Sequence, residues 1–131
     1  MILQWNIRGL QANREELDLL SSNLDPTVIC LQETFLKENR NINFKYYSSY
    51  HRCASEVNGI VHRGSSVLVK ATTPHRQIKL KTNLQAIVIR ATLGKTITVC
   101  SIYLPLKWFL ILQILRISLL KSLPHPTAWG L

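Results

Sequence analysis

The spacing of apolar and polar residues predicts a strand and then a helix at the start of the chain. Residues 2–7 carry large apolar side chains at both odd and even positions and stop at Arg8-Gly9, as in a short buried strand that ends in a turn. Residues 13–16 (Asn-Arg-Glu-Glu) match a capping box. Apolar positions then recur at the spacing of one amphipathic helix, which closes at Asp25-Pro26: Leu17, Leu20 and Leu24.

The remaining pattern is that of strands. Residues 27–32 are a β-branched apolar run, which predicts a second buried strand with Glu33 at its end. From residue 44 onward, strand follows strand with no second helix, and the last two strands form a long antiparallel hairpin. These strands are predicted over 44–50, 65–70, 77–81, 84–92 and 96–104. The fold class is therefore α+β, with mostly antiparallel strands and one early helix on a face.

The segment 107–131 differs in kind from residues 1–106, because it is dense in Leu and Ile and contains no acid. Three interpretations stay open. It could be a membrane span, which Gln113 and Arg116 disfavour, or a buried or interfacial helix. We place first a third interpretation, out-of-frame sequence that was never selected to fold. The chain is accordingly divided into two parts, 1–106 and an atypical apolar tail, 107–131.

Composition and charge narrow the class of protein. With 131 residues, 47% hydrophobic and 18% charged, the chain suits one globular domain or part of one. Sixteen Lys and Arg against seven Asp and Glu give a net charge of +9, which favours a polyanionic partner. All seven acids precede residue 57. Any Mg²⁺ site must therefore take its carboxylates from the first half of the chain.

Cysteine usage and the first residues bear on the compartment. Cys30, Cys53 and Cys100 lack the paired spacing of a disulfide framework or a zinc site, so we expect reduced thiols. The start of the chain lacks a basic leader followed by an apolar stretch. We expect an intracellular protein of the nucleus or cytoplasm, not a secreted one.

Three predicted strand ends carry polar side chains that could do chemistry: Asn6, Glu33 and Tyr103. An amide, a carboxylate and a phenol suit magnesium-assisted cleavage of a phosphodiester. For each residue alone a plain structural role is the commoner one: a local turn bond, an exposed strand end, or a ring packed at a sheet edge. Their order along the chain is what favours chemistry.

The motifs around these residues resemble the endonuclease/exonuclease/phosphatase superfamily, and within it the apurinic-like endonuclease domain of jockey-type non-LTR retrotransposon polyproteins. The matching motifs, in order, are Trp5-Asn6, Gln32-Glu33-Thr34 and Ile102-Tyr103-Leu104-Pro105. The ordered triple is much more specific than any one motif. The resemblance covers about residues 1–106 and implies the N-terminal part of a two-sheet α/β sandwich.

The resemblance also implies a role for each residue. Glu33 would be the principal Mg²⁺ ligand. Asn6 would contact the metal or the scissile phosphate, and Tyr103 would donate its hydroxyl to a phosphate oxygen as charge develops. DNA would be the partner, Mg²⁺ the cofactor, and no small-molecule cofactor is implied.

Two later motifs of the family do not occur in this sequence: a Gly-Asp-Phe-Asn-like strand end and a terminal Ser-Asp-His. In the family the Asp-His pair deprotonates the attacking water, a contribution of roughly 10²–10⁴-fold. The four histidines match no family motif, and we reject them as bases: His51, His62, His75 and His125. Because the second sheet would be largely missing, we also expect one uncovered sheet face and a poorly stable or aggregating product.

The first functional hypothesis is therefore a fragment of a retrotransposon endonuclease whose parent nicks DNA to prime reverse transcription by an RNA-directed DNA polymerase, with this fragment inactive. The alternative is a non-catalytic nucleic-acid-binding module that uses its basic stretch. A third class, a membrane protein anchored by 108–120, is disfavoured by Arg116. The basic stretch comprises Arg63, Lys70, Arg76, Lys79, Lys81, Arg90 and Lys95.

Overall fold

The computed structural model describes residues 1–37, 42–57, 60–81, 85–103 and 127–129. Within these ranges the chain forms one helix and ten strands. The elements are β1 (Ile2–Asn6), α1 (Arg14–Leu24), β2 (Val28–Gln32), β3 (Tyr47–Arg52), β4 (Ser55–Val57), β5 (Ile60–His62), β6 (Ser65–Lys70), β7 (His75–Ile78), β8 (Gln85–Thr92), β9 (Thr96–Tyr103) and β10 (Thr127–Trp129).

The strands form a five-stranded sheet in the order β10-β1-β2-β6-β3, a three-stranded sheet in the order β7-β8-β9, and the small β4-β5 pair. β1 and β2 run parallel, and the other pairs run antiparallel. A parallel pair needs a crossover connection, and α1 supplies it. Two sheets and one helix confirm the predicted fold class.

Apolar side chains cover both faces of the five-stranded sheet. On one face, Leu3, Leu31 and Leu68 pack with Leu17 of α1. On the other face, buried residues of the first sheet pack against those of the three-stranded sheet: Ile2, Val28, Cys30, Val67 and Val69 against Ile87, Ile89, Ala91 and Val99. The expectation of an uncovered sheet face was wrong, because the β8-β9 hairpin is long enough to build the second layer.

Several boundaries differ from the prediction. β3 begins at Tyr47, with Phe44 joined to it by an isolated bridge, so the strand is shifted toward Arg52. The predicted strand over 77–81 is centred earlier, as β7. The β4-β5 pair was missed, since its two strands have only three residues each and too few apolar positions to show a period.

The predicted capping box at residues 13–16 was also wrong. The Asn13 side chain caps no helical N–H. Its Nδ2 instead donates to the carbonyl oxygens of Ile7, at 2.8 Å, and Gly9, at 3.1 Å. These carbonyls belong to the turn after β1, so the side chain ties the start of α1 to that turn. Glu15 and Glu16 in the first helical turn stabilise the positive end of the helix dipole.

Most of the predicted tail, residues 107–126 and 130–131, lies outside the described residues. Its strand β10 pairs antiparallel with β1, with Trp129 opposite Ile2 and Thr127 opposite Gln4. Within the ranges given above, no helix is long and apolar enough to span a bilayer. The division of the chain at residue 106 stays a prediction.

The packing of α1 can be tested with two leucines of the same helix. Leu17 is fully buried, and Leu19 is 60% exposed. We expect Leu17→Ala to lower the free energy of unfolding by about 2–5 kcal/mol, because it leaves a cavity beneath the helix. Leu19→Ala should change it by less than about 0.5 kcal/mol. Urea denaturation followed by circular dichroism measures both, and equal effects would contradict this packing.

Candidate active site

The ends of β1 and β2 lie side by side. The two strands are parallel, with Asn6 opposite Gln32, so they end at the same edge of the sheet. The pairing continues past both ends through backbone hydrogen bonds from Ile7 N to Gln32 O (3.0 Å), Gly9 N to Glu33 O (2.8 Å) and Leu10 N to Thr34 O (3.0 Å). This extension fixes Glu33 one residue beyond the position opposite Asn6.

Three residues other than glycine adopt left-handed backbone conformations in the segments that follow β1 and β2. Arg8 has φ 50°, Glu33 φ 53° and Phe35 φ 56°. Such φ values are uncommon for residues other than glycine, cost about 1–3 kcal/mol, and persist only where the surroundings impose them. The hydrogen bonds between the two segments are that constraint.

The Glu33 carboxylate is buried and paired with arginine. The residue is 5% exposed. Its Oε1 accepts a hydrogen bond from the Arg63 guanidinium at 2.7 Å, and its Oε2 lies 3.8 Å from Arg8 Nε. A buried carboxylate is costly unless it is paired, so Arg63 provides most of the compensation. Both arginine side chains remain more than half exposed.

Three buried polar residues lie near the same strand ends as Glu33. Asn6 is 5% exposed, and within the described residues nothing donates to its Oδ1. The same holds for the hydroxyl oxygens of Thr34 and Ser65. Ser65 lies opposite Gln32 on β6. Buried oxygens are usually satisfied, so three oxygens without a partner among the described residues, at the sheet edge where Glu33 lies, are unusual.

A chain of buried hydrogen bonds links this edge to the second sheet. Gln4 Nε2 donates to Gln32 Oε1 at 3.2 Å, and Gln32 Nε2 donates to Ser101 Oγ at 3.0 Å. Ser101 is fully buried and lies two residues before Tyr103 on β9. The chain therefore holds the end of β9 against the end of β2.

The structure brings Asn6 and Glu33 to one sheet edge, as the sequence predicts. It places the backbone of Tyr103 at the end of β9, opposite Gln85, about 7 Å along the strand from Ser101. The Tyr103 side chain lies outside the described part of the chain. Its predicted role therefore stays a prediction.

The two histidines whose side chains the structure describes, His51 and His75, have other partners, and the side chains of His62 and His125 lie outside the described part of the chain. His51 Nδ1 lies 2.6 Å from the Ser66 hydroxyl, and burial lowers the pKa of His51. His75 bonds to the Tyr50 hydroxyl and the Thr73 carbonyl. Across the described ranges, no three His, Cys, Asp or Glu side chains come together as a metal-binding group.

The structure places no disulfide bond at Cys30, Cys53 or Cys100. Burial, and then the charge of Cys100, raise the pKa of Cys30 to about 12. Burial also raises the pKa of Cys100. Cys30 packs in the core between the sheets, so its role is structural.

Comparison with known proteins gives one sequence relative. No family model matches the chain. The chain is 32% identical over 105 residues to the RNA-directed DNA polymerase from mobile element jockey of Drosophila melanogaster, and the match covers 77% of the chain. The chain spans only 11% of the length of that relative. The sequence resemblance to a jockey-type element is therefore confirmed.

Comparison with solved structures establishes the fold of the chain. The endonuclease domain of TRAS1, a telomere-specific non-LTR retrotransposon, superposes with a TM-score of 0.60 at 20% identity, covering 88% of this chain and 52% of that one. An AP endonuclease from Archaeoglobus fulgidus gives 0.56 at 17% identity, covering 88% and 48%. The chain has the endonuclease/exonuclease/phosphatase fold. It spans about half the length of these two neighbours.

Within this fold, three contributors to the site went unassigned in the sequence. Arg63 was assigned only to a basic stretch, and Arg8 only to a turn, because their contact with Glu33 depends on tertiary structure. The hydrogen-bonded chain of Gln4, Gln32 and Ser101 could have been found from the sequence. Each of the three is a polar residue at an inward position of an otherwise apolar strand.

Gly64 allows the segment that carries Arg63 to approach the segment that carries Glu33 and Thr34. It has φ 88°, and an added Cβ would lie 2.7 Å from Thr34 Oγ1 and 3.2 Å from the Arg52 carbonyl oxygen. Thr34 N and Phe35 N donate to the carbonyl oxygens of Gly64 and Arg63. The close approach of these segments therefore depends on residue 64 being a glycine, which has no side chain.

We expect Gly64→Ala to destabilise the chain by roughly 2–4 kcal/mol, the sum of a left-handed backbone penalty and overpacking. Gly94→Ala is the matched control, because Gly94 has φ 79° but nothing within 4 Å of an added Cβ. It should cost only about 1 kcal/mol. Urea unfolding compares the two variants, and equal losses would contradict the contact.

Proposed function

We propose that the chain is the N-terminal part of a Mg²⁺-dependent DNA endonuclease of a jockey-type retrotransposon. The parent protein would nick target DNA and leave a 3′ hydroxyl from which its RNA-directed DNA polymerase primes reverse transcription. The observation that carries the proposal is a buried Glu33 carboxylate next to the Asn6 position at the shared end of two parallel strands. The jockey relative and the fold of the TRAS1 endonuclease domain support it.

The donor set fits a Mg²⁺ ion whose remaining ligands are water. Magnesium binds hard oxygens and commonly takes only one or two protein carboxylates. Glu33 supplies a carboxylate, and Asn6 supplies a buried amide oxygen to which no described group donates. Arg63 holds Glu33 Oε1 at 2.7 Å, so a metal ion and Arg63 would compete for the same oxygen.

When bound, the metal would polarise the scissile phosphate and neutralise developing charge. Glu33 would hold the ion. Asn6 would orient it or the phosphate, and the Tyr103 hydroxyl would donate to a phosphate oxygen. Arg8 and Arg63, both exposed beside Glu33, can form charge-assisted bonds to the flanking phosphates of the same strand.

By this proposal the fragment itself is inactive. The family's general base comes from an Asp-His pair that this sequence lacks. Positioned general bases contribute roughly 10²–10⁴-fold. None of the contacts of His51 or His75 connects it to Glu33. The chain would therefore keep metal and DNA contacts without the step that activates water.

A second candidate function is a basic nucleic-acid-binding module without metal chemistry. Arg76 and Arg90 lie directly opposite each other on β7 and β8, and both are exposed. Like charges in this position are destabilising, and no acid follows Glu56 in the sequence. A polyanionic strand lying across this sheet would relieve the repulsion.

Metal binding separates the two functions. Ligand that binds only the folded state raises its stability, so saturating Mg²⁺ should raise the melting temperature of the wild-type chain by several degrees. We expect Glu33→Gln to abolish this increase. Glu16→Gln, which removes the same charge from an exposed helix position, should keep it. An identical response of all three proteins would contradict a metal site at Glu33 and favour the basic module.

Nicking of supercoiled plasmid DNA provides the second readout. We expect salt-sensitive DNA retention and no Mg²⁺-dependent nicking above a chelator control. Nicking by the wild-type chain that Glu33→Gln abolishes would show that the fragment is itself an enzyme, and would contradict the predicted inactivity.

A further inference from the structure

An exposed phenylalanine stands beside the buried carboxylate. Phe35 is 47% exposed, whereas Leu36, the next residue, is 4% exposed and packs in the core on the helix side of the sheet. The left-handed backbone of Phe35 lets these neighbouring apolar residues point in different directions. One fills the core, and the other faces solvent.

The position of this ring is fixed by the surrounding backbone. Phe35 N donates to the Arg63 carbonyl at 2.9 Å, and Ala54 N donates to the Leu36 carbonyl at 2.8 Å. On its other side, an added Cβ on Gly9 would lie 3.5 Å from Phe35 Cδ2. A bulky residue at φ 56° is strained. Holding an aromatic ring at this point therefore lowers the stability of the folded state.

The ring lies near the backbone of both arginines that pair with Glu33. Gly9, which approaches the ring, follows Arg8, and the Arg63 backbone binds the Phe35 backbone. Both guanidinium groups reach Glu33, at 3.8 and 2.7 Å, and both arginine side chains are more than half exposed. We call Arg8, Phe35 and Arg63 the site rim. An exposed aromatic ring in the same site as two exposed arginines matches the chemistry of a nucleic-acid strand, which offers phosphates and flat bases.

We propose that Phe35 is a base-stacking residue that holds a DNA base at the candidate site while Arg8 and Arg63 bind the adjoining phosphates. This inference rests on DNA being the partner in the proposed function. Stacking would set the position of the strand along the rim, because phosphate contacts alone allow a strand to slide. Aromatic stacking accepts any base, so Phe35 would position the strand without selecting a sequence.

The test uses fluorescence anisotropy of two labelled single-stranded oligonucleotides of equal length, one with a base at every position and one in which every position is abasic. We expect Phe35→Ala to weaken binding of the base-containing strand by roughly five-fold to a hundred-fold. Phe35→Leu, which keeps apolar bulk without a π face, should also weaken it. Leu80→Ala is the matched control, because Leu80 is likewise 47% exposed, and it should bind as the wild type does.

Three further readouts distinguish stacking from other causes. Phe35→Ala should leave the salt dependence of binding unchanged, whereas Arg8→Gln should lower its slope by roughly 0.7. On the abasic strand, Phe35→Ala and the wild type should bind with equal affinity. Equal loss on both strands, or no loss on either, would overturn the stacking role while leaving the metal response of Glu33 intact. If the wild-type chain binds neither strand, the proposed function fails together with this inference.

Discussion

The extension of the β1-β2 pairing beyond the ends of both strands is the constraint on which the site depends. Three backbone hydrogen bonds join Ile7, Gly9 and Leu10 to the segment that begins at Gln32. They impose left-handed backbone at Arg8 and Glu33. Without this extension Glu33 would lie on an unrestrained loop. Its carboxylate would then be exposed to water and would lose its contact with Arg63.

The side chains that fill the space between the two sheets change from apolar to polar along its length. At one end it is apolar, with Val28, Cys30 and Ile89 in contact. At the other end it holds Asn6 and the Gln4-Gln32-Ser101 chain. Buried amides contribute less to stability than apolar side chains of similar size unless every group is bonded. Polar groups that remain unsatisfied at a strand end are typical of a site selected for chemistry.

Much of the framework was predictable because local pattern and tertiary environment agree. Leu17 and Leu20 showed the helical period, and the apolar run at 27–32 showed a strand covered on both faces. Asn6 and Glu33 were predictable as a pair because parallel neighbouring strands end at the same edge. The Asn13 side chain was predicted wrongly, since it has two possible uses that local sequence does not separate: capping a helix or binding the preceding turn.

Contacts between residues that are far apart in the sequence could not be predicted from the spacing of apolar and polar positions. Arg63 lies thirty positions from Glu33, and nothing in its neighbourhood distinguishes it from other basic residues of the same region. The division of Phe35 and Leu36 between solvent and core depends on one left-handed residue. The second layer over the first sheet was also missed, because the length of the β8-β9 hairpin does not reveal what it packs against.

We propose that the joined ends of β1 and β2 form one metal-binding position. Paramagnetic broadening by Mn²⁺, which takes the same oxygen ligands as Mg²⁺, tests it most directly in ¹⁵N NMR spectra. We predict that substoichiometric Mn²⁺ first broadens the Asn6 side-chain amide and the Glu33 and Thr34 backbone signals, and that Glu33→Gln removes this effect. Broadening centred on the acids of α1, or spread evenly over the chain, would contradict the account.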